Sequence, residues 1–191
     1  MVHSLWCAEA ALEGPIVVSY GDILYTPAVL NLVLDSSHDV AVAVDEDWRS
    51  YWERRHEVPL EDAESLALDA EDRITSIGQS VDSMQEPQAQ YIGLIAFSEA
   101  GFEQFREAYN DAQADADRPI GADGRSFETL HMTDLLQRVV DRGGDVHAER
   151  IAGDWVEIDT PRDLELARSV CHPAGDGTLD IDRTHTKNKI D

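Results

Sequence analysis

Lysine is almost absent from this 191-residue chain: the only two, Lys187 and Lys189, stand at its very end, and thirteen arginines carry the rest of the positive charge. Against 39 acidic residues this leaves a net charge of −24. So negative a surface repels nucleic-acid phosphates and anionic lipid, which excludes non-specific binding to either. The same composition suits a salt-rich cytoplasm with an acidic proteome, and it follows equally from a GC-rich genome in which arginine replaces lysine. Cysteine is scarce too. Cys7 and Cys171 share no metal or redox spacing, so both read as isolated thiols in a reducing compartment. No apolar run reaches the ~18 residues of a membrane span. The opening MVHSLWCAEAALEG has no cationic stretch and is interrupted by Glu9 and Glu13. These absences predict a cytoplasmic protein with no signal peptide and no membrane anchor.

What is present alternates between strand and helix patterns. An amphipathic helix capped by Ser4, with Leu5, Ala8 and Leu12 on one face, is expected to stop at Gly14-Pro15. PIVVSYGDILY reads as a buried strand, 27–34 as a helix, DVAVAV as a buried strand and 47–55 as an aromatic helix. ESLALD and RITSIG read as edge strands joined through Asp69 to Asp72, and AQYIGLIAFS as a strong strand. Helical spacing then runs over 99–114 and 127–142. Strands at 145–150 and 155–159 precede a last helix, with Thr160, Pro161 and Asp163 spelling its capping box. Apolar periodicity ends near Val170. The expectation is one domain over 1–170 and a disordered tail over 171–191.

Chemistry concentrates at two strand ends. Ligands of open α/β sheets bind where strands end, which makes Asp22, directly after Tyr20-Gly21, the first candidate for a metal ligand. In DWVEIDTPRDLELA, Glu157 and Asp159 share one face of a strand because side chains alternate with period 2. Two acidic strand ends far apart in sequence are thereby candidates to share one cation. A turn or helix-cap role for Asp22 fits the same pattern. Asp163 reads as a cap rather than a ligand. Trp48, Tyr51 and Trp52 fall at helical spacing and read either as part of an aromatic box for a quaternary ammonium, with Arg49, Arg54 or Arg55 meeting a phosphonate, or as the core side of an amphipathic helix with the arginines on its solvated face. His131 and His147 need no role beyond packing.

SLWCAEAALEGPIVVSYGDILY, VAVDEDWRSYW, QYIGLIAFSEAGF and DLLQRVVDRGGDVHAERIAGDWVEIDTPRDLELA together resemble the nucleotidyltransferase superfamily, nearest to cytidylyltransferases acting on phosphocholine or phosphonates. The resemblance runs from about Ser4 to Arg168. It implies an α/β fold, three layers around a mostly parallel sheet of the nucleotide-diphospho-sugar transferase type. It further implies Mg2+ held by Asp22 and Asp159 with Glu157 as a third candidate, and Tyr20 and Gly21 beside the bound group. The implied reaction is nucleotidyl transfer from a nucleoside triphosphate, CTP favoured, to a phosphorylated or phosphonylated small molecule, displacing pyrophosphate. Asp45, Trp48, Trp52, Arg54, Tyr91 and Gly93 would line the acceptor side, Gly93 by letting a ligand approach the backbone; a glycine bulge in a buried strand is its bland reading.

Two features depart from this pattern. The family's strand and G-x-G-x-R loop, with a lysine downstream, have no counterpart here, so the expectation is an N-terminally truncated unit lacking at least one βα element of roughly thirty residues. Such a chain would present an open sheet edge to a second copy or a complementing chain and would be inactive alone. Gln90 stands where an acidic residue is the family habit. Two rival readings follow: a non-catalytic remnant that binds a ligand or partner, and a glycosyltransferase whose D-x-D motif is Asp45-Glu46-Asp47.

Overall fold

The computed structural model describes residues 2–175 and 177–183. After a short helix α1 (Val2–Trp6) come strands β1 (Ile16–Ser19) and β2 (Ile23–Tyr25), helix α2 (Pro27–Leu34), strand β3 (Val40–Asp45) and helix α3 (Trp48–Arg55). A hairpin of β4 (Glu64–Leu68) and β5 (Ile74–Ser80) leads to β6 (Gln90–Phe97), α4 (Glu99–Ala114) and α5 (Met132–Asp141). The chain continues through β7 (Val146–Ile151), β8 (Trp155–Glu157), α6 (Pro161–Val170), β9 (Cys171–Pro173) and β10 (Leu179–Ile181).

The central sheet has the order β1-β6-β3-β7. β6 runs antiparallel to both β1 and β3, and β3 runs parallel to β7, so β1, β3 and β7 share one direction and β6 alone is reversed. All six residues of β3 are buried. A strand covered on both faces needs such an uninterrupted apolar run. Its alternation divides the core: Val42 and Val44 face α1, α4, α5 and the β4–β5 hairpin, while Ala43 faces α2, α3, α6 and the β2–β8 pair. The result is the expected three-layer α/β arrangement. β1 is one of the two edge strands, only half-buried, with Val17 41% exposed.

Three local expectations are corrected. The first helix is one turn and a half, Val2–Trp6, followed by a 3-10 turn at Glu9–Ala11, and Ser4 lies inside it rather than capping it. Trp6 anchors the segment by stacking on Tyr109, 3.8 Å between ring centroids, and this packing outweighs the longer helical spacing. The span 127–142 divides into a 3-10 turn at Phe127–Thr129 and α5, because the Asp134 carboxylate accepts from the His131 backbone N–H at 2.8 Å and starts a new helix there. The expected tail is structured over its described residues: β9 and β10 pair antiparallel, and Ile181 is buried against the α3/α6 side of the core. Residues 184–191 lie outside the described residues.

Gly93 belongs to a bulge, where two steps on β3 face four on β6, and its φ is +87°. The space a side chain would need is filled by Tyr20, whose ring carbon would lie 2.6 Å from an added Cβ. The glycine therefore admits Tyr20 rather than a ligand. Gly93→Ala is expected to destabilise the fold by about 3 kcal/mol or more, summing backbone strain and overpacking, measured by urea denaturation; a loss below about 1 kcal/mol would mean the bulge relaxes freely.

Candidate functional site

The YGD strand breaks into two pieces that pair with different partners. Tyr20 still bonds β6, its N–H donating to the Gly93 carbonyl at 2.9 Å. Gly21 and Asp22 then turn away, and β2 pairs with β8 in the register Ile23 opposite Glu157. The Asp22 carbonyl accepts from the Ile158 N–H at 2.9 Å, so Asp22 stands beside the Glu157–Asp159 strand end. The ladder brings the two strand ends together at the backbone, while the Asp22 side chain lines one cavity and the Glu157 side chain another. Asp22 is exposed and lines a cavity of about 360 Å3 with Tyr20 and Gly21.

Arg55 organises the carboxylates around it. Its side chain is 1% exposed and donates three ways: Nη1 to Glu157 Oε2 at 2.5 Å, Nη2 to Asp159 Oδ2 at 3.0 Å and Nε to Asp163 Oδ1 at 3.1 Å. Burial would depress its charge; Glu157, Tyr51 and Asp163 outweigh that and raise its pKa. Burial pushes Glu157 up to about 7 against the pull of Arg55. Asp163 is also raised by burial, but hydrogen bonds from Arg55 and Thr160 win and hold it below the usual carboxylate range. Asp163 caps α6 as expected, accepting from the Thr160 N–H at 2.9 Å.

For a hard cation the donor set fits in part. Among the described residues no group of three or more His, Cys, Asp or Glu side chains forms a cage. Mg2+ is commonly held by one or two carboxylates with water and phosphate completing the shell. Asp22 is free for such a role, and Asp159 is half-exposed with only Oδ2 committed to Arg55. Glu157 is committed to Arg55 and is the poorer candidate.

A second, smaller cavity of about 180 Å3 adjoins through Tyr20, which lines both. Trp52 and Tyr91 of the expected acceptor set are on its wall, together with Asp62, Glu64 and Glu157. One buried polar group beside it, Trp52 Nε1, has no hydrogen-bond partner. His131 is its one basic lining residue. Gln90 is pinned rather than presented: its Nε2 donates to the Glu64 carbonyl at 2.6 Å, and its Oε1 accepts from the Glu64 N–H at 3.2 Å. A carboxylate there would face a carbonyl oxygen, so Gln90→Glu is expected to lose about 2 kcal/mol. A midpoint urea shift towards zero on lowering the pH to 4 would confirm the electrostatic origin; a pH-independent loss would count against it.

The remaining acceptor-side residues lie elsewhere. Trp48 is fully buried and Tyr51 nearly so, both in the core, which is the amphipathic-helix reading of the aromatic spacing. Asp45 is 0% exposed and accepts from the N–H groups of Asp47 and Gly153, from Trp155 Nε1 and from Arg183 Nη2. Four donors leave it nothing to offer a substrate or a metal, and the D-x-D reading fails on that geometry. Arg54 lines a different cavity and gives Nη1 to the Arg183 carbonyl at 2.7 Å. Glu64 and Asp62 were not among the sequence candidates, and Arg55, a candidate for meeting a phosphonate, is instead buried among carboxylates. Arg55 had a signal: positions 48, 51, 52 and 55 form one helical stripe, and an arginine on that stripe is a buried one.

The geometry can be set beside known proteins. No family model matches the chain. A CTP:phosphoglutamine cytidylyltransferase of Campylobacter jejuni is 32% identical over 172 residues, covering 87% of this chain and 66% of that protein. Among solved structures, the inositol-1-phosphate CTP transferase of T. maritima superposes with a TM-score of 0.57 at 20% identity, over 85% of this chain and 57% of that one. A nucleoside-diphosphate-sugar pyrophosphorylase of Vibrio cholerae gives 0.51 at 13% identity, over 83% and 58%. The chain thus spans just under two thirds of the curated relative and less of the solved structures. Among the described residues no helix is long and apolar enough to cross a membrane. The sequence relative and the shared fold place the chain in the nucleotidyltransferase superfamily, among relatives of the cytidylyltransferase kind.

Proposed function

We propose that this chain carries the metal-binding and acceptor-binding part of a cytidylyltransferase that moves a cytidylyl group from CTP to a phosphorylated or phosphonylated small molecule bearing a cationic group. The observation that supports this most directly is the β2–β8 ladder, which joins the Asp22 backbone to Ile158, between Glu157 and Asp159 in sequence, near a cavity that Glu157 lines with other carboxylates and aromatic rings. In the proposed reaction an acceptor phosphate or phosphonate oxygen bonds to the α-phosphorus of CTP, the bond from that phosphorus to the bridging oxygen breaks, and pyrophosphate leaves in line. When bound, Mg2+ would supply neutralisation of the charge on the phosphoryl oxygens. Asp22 and Asp159 are the residues proposed to hold it, with Arg55 fixing the Asp159 carboxylate.

The cationic preference rests on the smaller cavity. Asp62, Glu64 and Glu157 are the acidic groups of its wall, Glu157 paired with Arg55 and Glu64 facing His131, and Trp52, Tyr20 and Tyr91 supply ring faces and edges. An ammonium is favoured there by carboxylates and by aromatic quadrupoles. The relative named for phosphoglutamine agrees with a phosphorylated acceptor that contains an amine. The test is pyrophosphate release with CTP, Mg2+ and phosphoglutamine, phosphocholine, 2-aminoethylphosphonate or glucose 1-phosphate. It is run on this chain and on the same chain extended upstream in frame. Turnover with the amine-bearing acceptors and none with glucose 1-phosphate is the expected result. Silence from both chains, with divalent-ion binding retained, would favour a non-catalytic binding protein.

A further inference from the structure

Behind α3, on the side away from the acidic cavity, a cavity of about 930 Å3 opens between that helix, the turn before β8 and the residues around β10. Two guanidinium groups belong to its lining. The Arg183 side chain is 8% exposed; its Nη2 donates to the buried Asp45 at 2.7 Å, and its guanidinium carbon sits 4.4 Å from the centroid of Tyr51. Its Nη1 is buried with no acceptor. Arg54 gives Nη1 to the Arg183 carbonyl, while its Nε and Nη2 are likewise buried without an acceptor. Burial, and then the neighbouring charge of Arg183, lower the Arg54 pKa.

Asp45 neutralises Arg183, but Arg54 has no carboxylate within ion-pair distance among the described residues and holds only a carbonyl. Buried donors without acceptors are uncommon and are costly to leave so. Arg54 and Arg183 both line this cavity and both keep N–H groups without an acceptor, and a guanidinium fork is the geometry arginine uses for phosphate. We propose that the cavity binds a phosphate group between Arg54 and Arg183, as a site separate from the one containing Asp22 and Asp159. Asp47, Glu53, Asp154 and Asp180 on the cavity's rim are exposed, and Asp182, which also lines it, is partly exposed. Water screens their repulsion, whereas the buried guanidiniums act through a lower dielectric. The rim therefore limits what surrounds the phosphate more than it opposes the phosphate itself.

The test is a calorimetric titration of the full chain with inorganic phosphate at constant ionic strength, without CTP and with EDTA present. The reading above it can then fail without affecting this one. Wild type and Asp22→Asn are expected to bind alike. Arg54→Gln should bind at least about tenfold more weakly, the loss of one charge-assisted contact, and Arg54→Lys should fall between them. Unfolding curves of both Arg54 variants establish that they are folded. Equal affinity in Arg54→Gln and wild type, reduced affinity in Asp22→Asn alone, or no saturable binding by the wild type would each overturn the proposal.

Discussion

Arg55→Met is expected to destabilise the protein by about 3–5 kcal/mol, the loss typical when one member of a buried ion cluster is removed, and to lower the melting temperature by on the order of 10 °C. The guanidinium bridges Glu157, Asp159 and Asp163, and Asp163 is only 3% exposed. Without it three converging carboxylates lose their counter-charge, and α6 loses the group that orients its capping residue. The pH dependence gives the result a signature. Asp163 has a folded pKa below its ordinary 3.8, so the stability it contributes is present above that value and is lost as the pH falls through the folded pKa. Without Arg55 that depression largely disappears. The gap between wild type and Arg55→Met should therefore be widest above pH 4 and narrow in more acid solution. Urea denaturation between pH 3 and 7 measures it. A loss under about 1 kcal/mol would show that the carboxylates remain solvated and that Arg55 is not their organiser.

The second large effect concerns the cation. On the proposed reading, Asp22→Asn and Asp159→Asn should each weaken Mn2+ binding by about tenfold or more, the scale seen even when outer partners of metal ligands are changed. Asp22→Asn should leave stability within about 0.5 kcal/mol of wild type, since the side chain is exposed. Glu157→Gln should weaken the ion less than either, because its carboxylate already accepts from Arg55 at 2.5 Å. Paramagnetic resonance of free Mn2+ reads all three. A larger effect at Glu157 than at Asp22 would move the ion into the Arg55 cluster.

Much of this was legible along the chain. The VAVAV run could only be a strand covered on both faces, and all of β3 is buried. Thr160, Pro161 and Asp163 marked the start of α6, and the structure has the capping box there. Such signals are local: they depend on residues within one or two turns of each other. The errors came where distant packing decided. The 3.6-residue spacing of Leu5, Ala8 and Leu12 suggested one helix, yet Trp6 on Tyr109 holds only a short one. The segment after Val170 lacks apolar periodicity, yet Ile181 is buried and Arg183 reaches Asp45. The β9–β10 ladder and two buried side chains dock a segment whose average composition looked like a tail.

The sequence by itself determined the fold class, the layers and the two acidic strand ends, because hydrophobic period and capping chemistry are written in neighbouring residues. Only the tertiary structure decided how those ends are used. It joined the Asp22 and Ile158 backbones through the β2–β8 ladder, committed Glu157 to Arg55 and filled the space at Gly93 with Tyr20. It also separated Arg54 from Tyr91 by placing them on different cavities. The reason is physical: the pairing of a carboxylate or guanidinium depends on which charges lie within a few ångströms in space, and a linear pattern does not encode that distance.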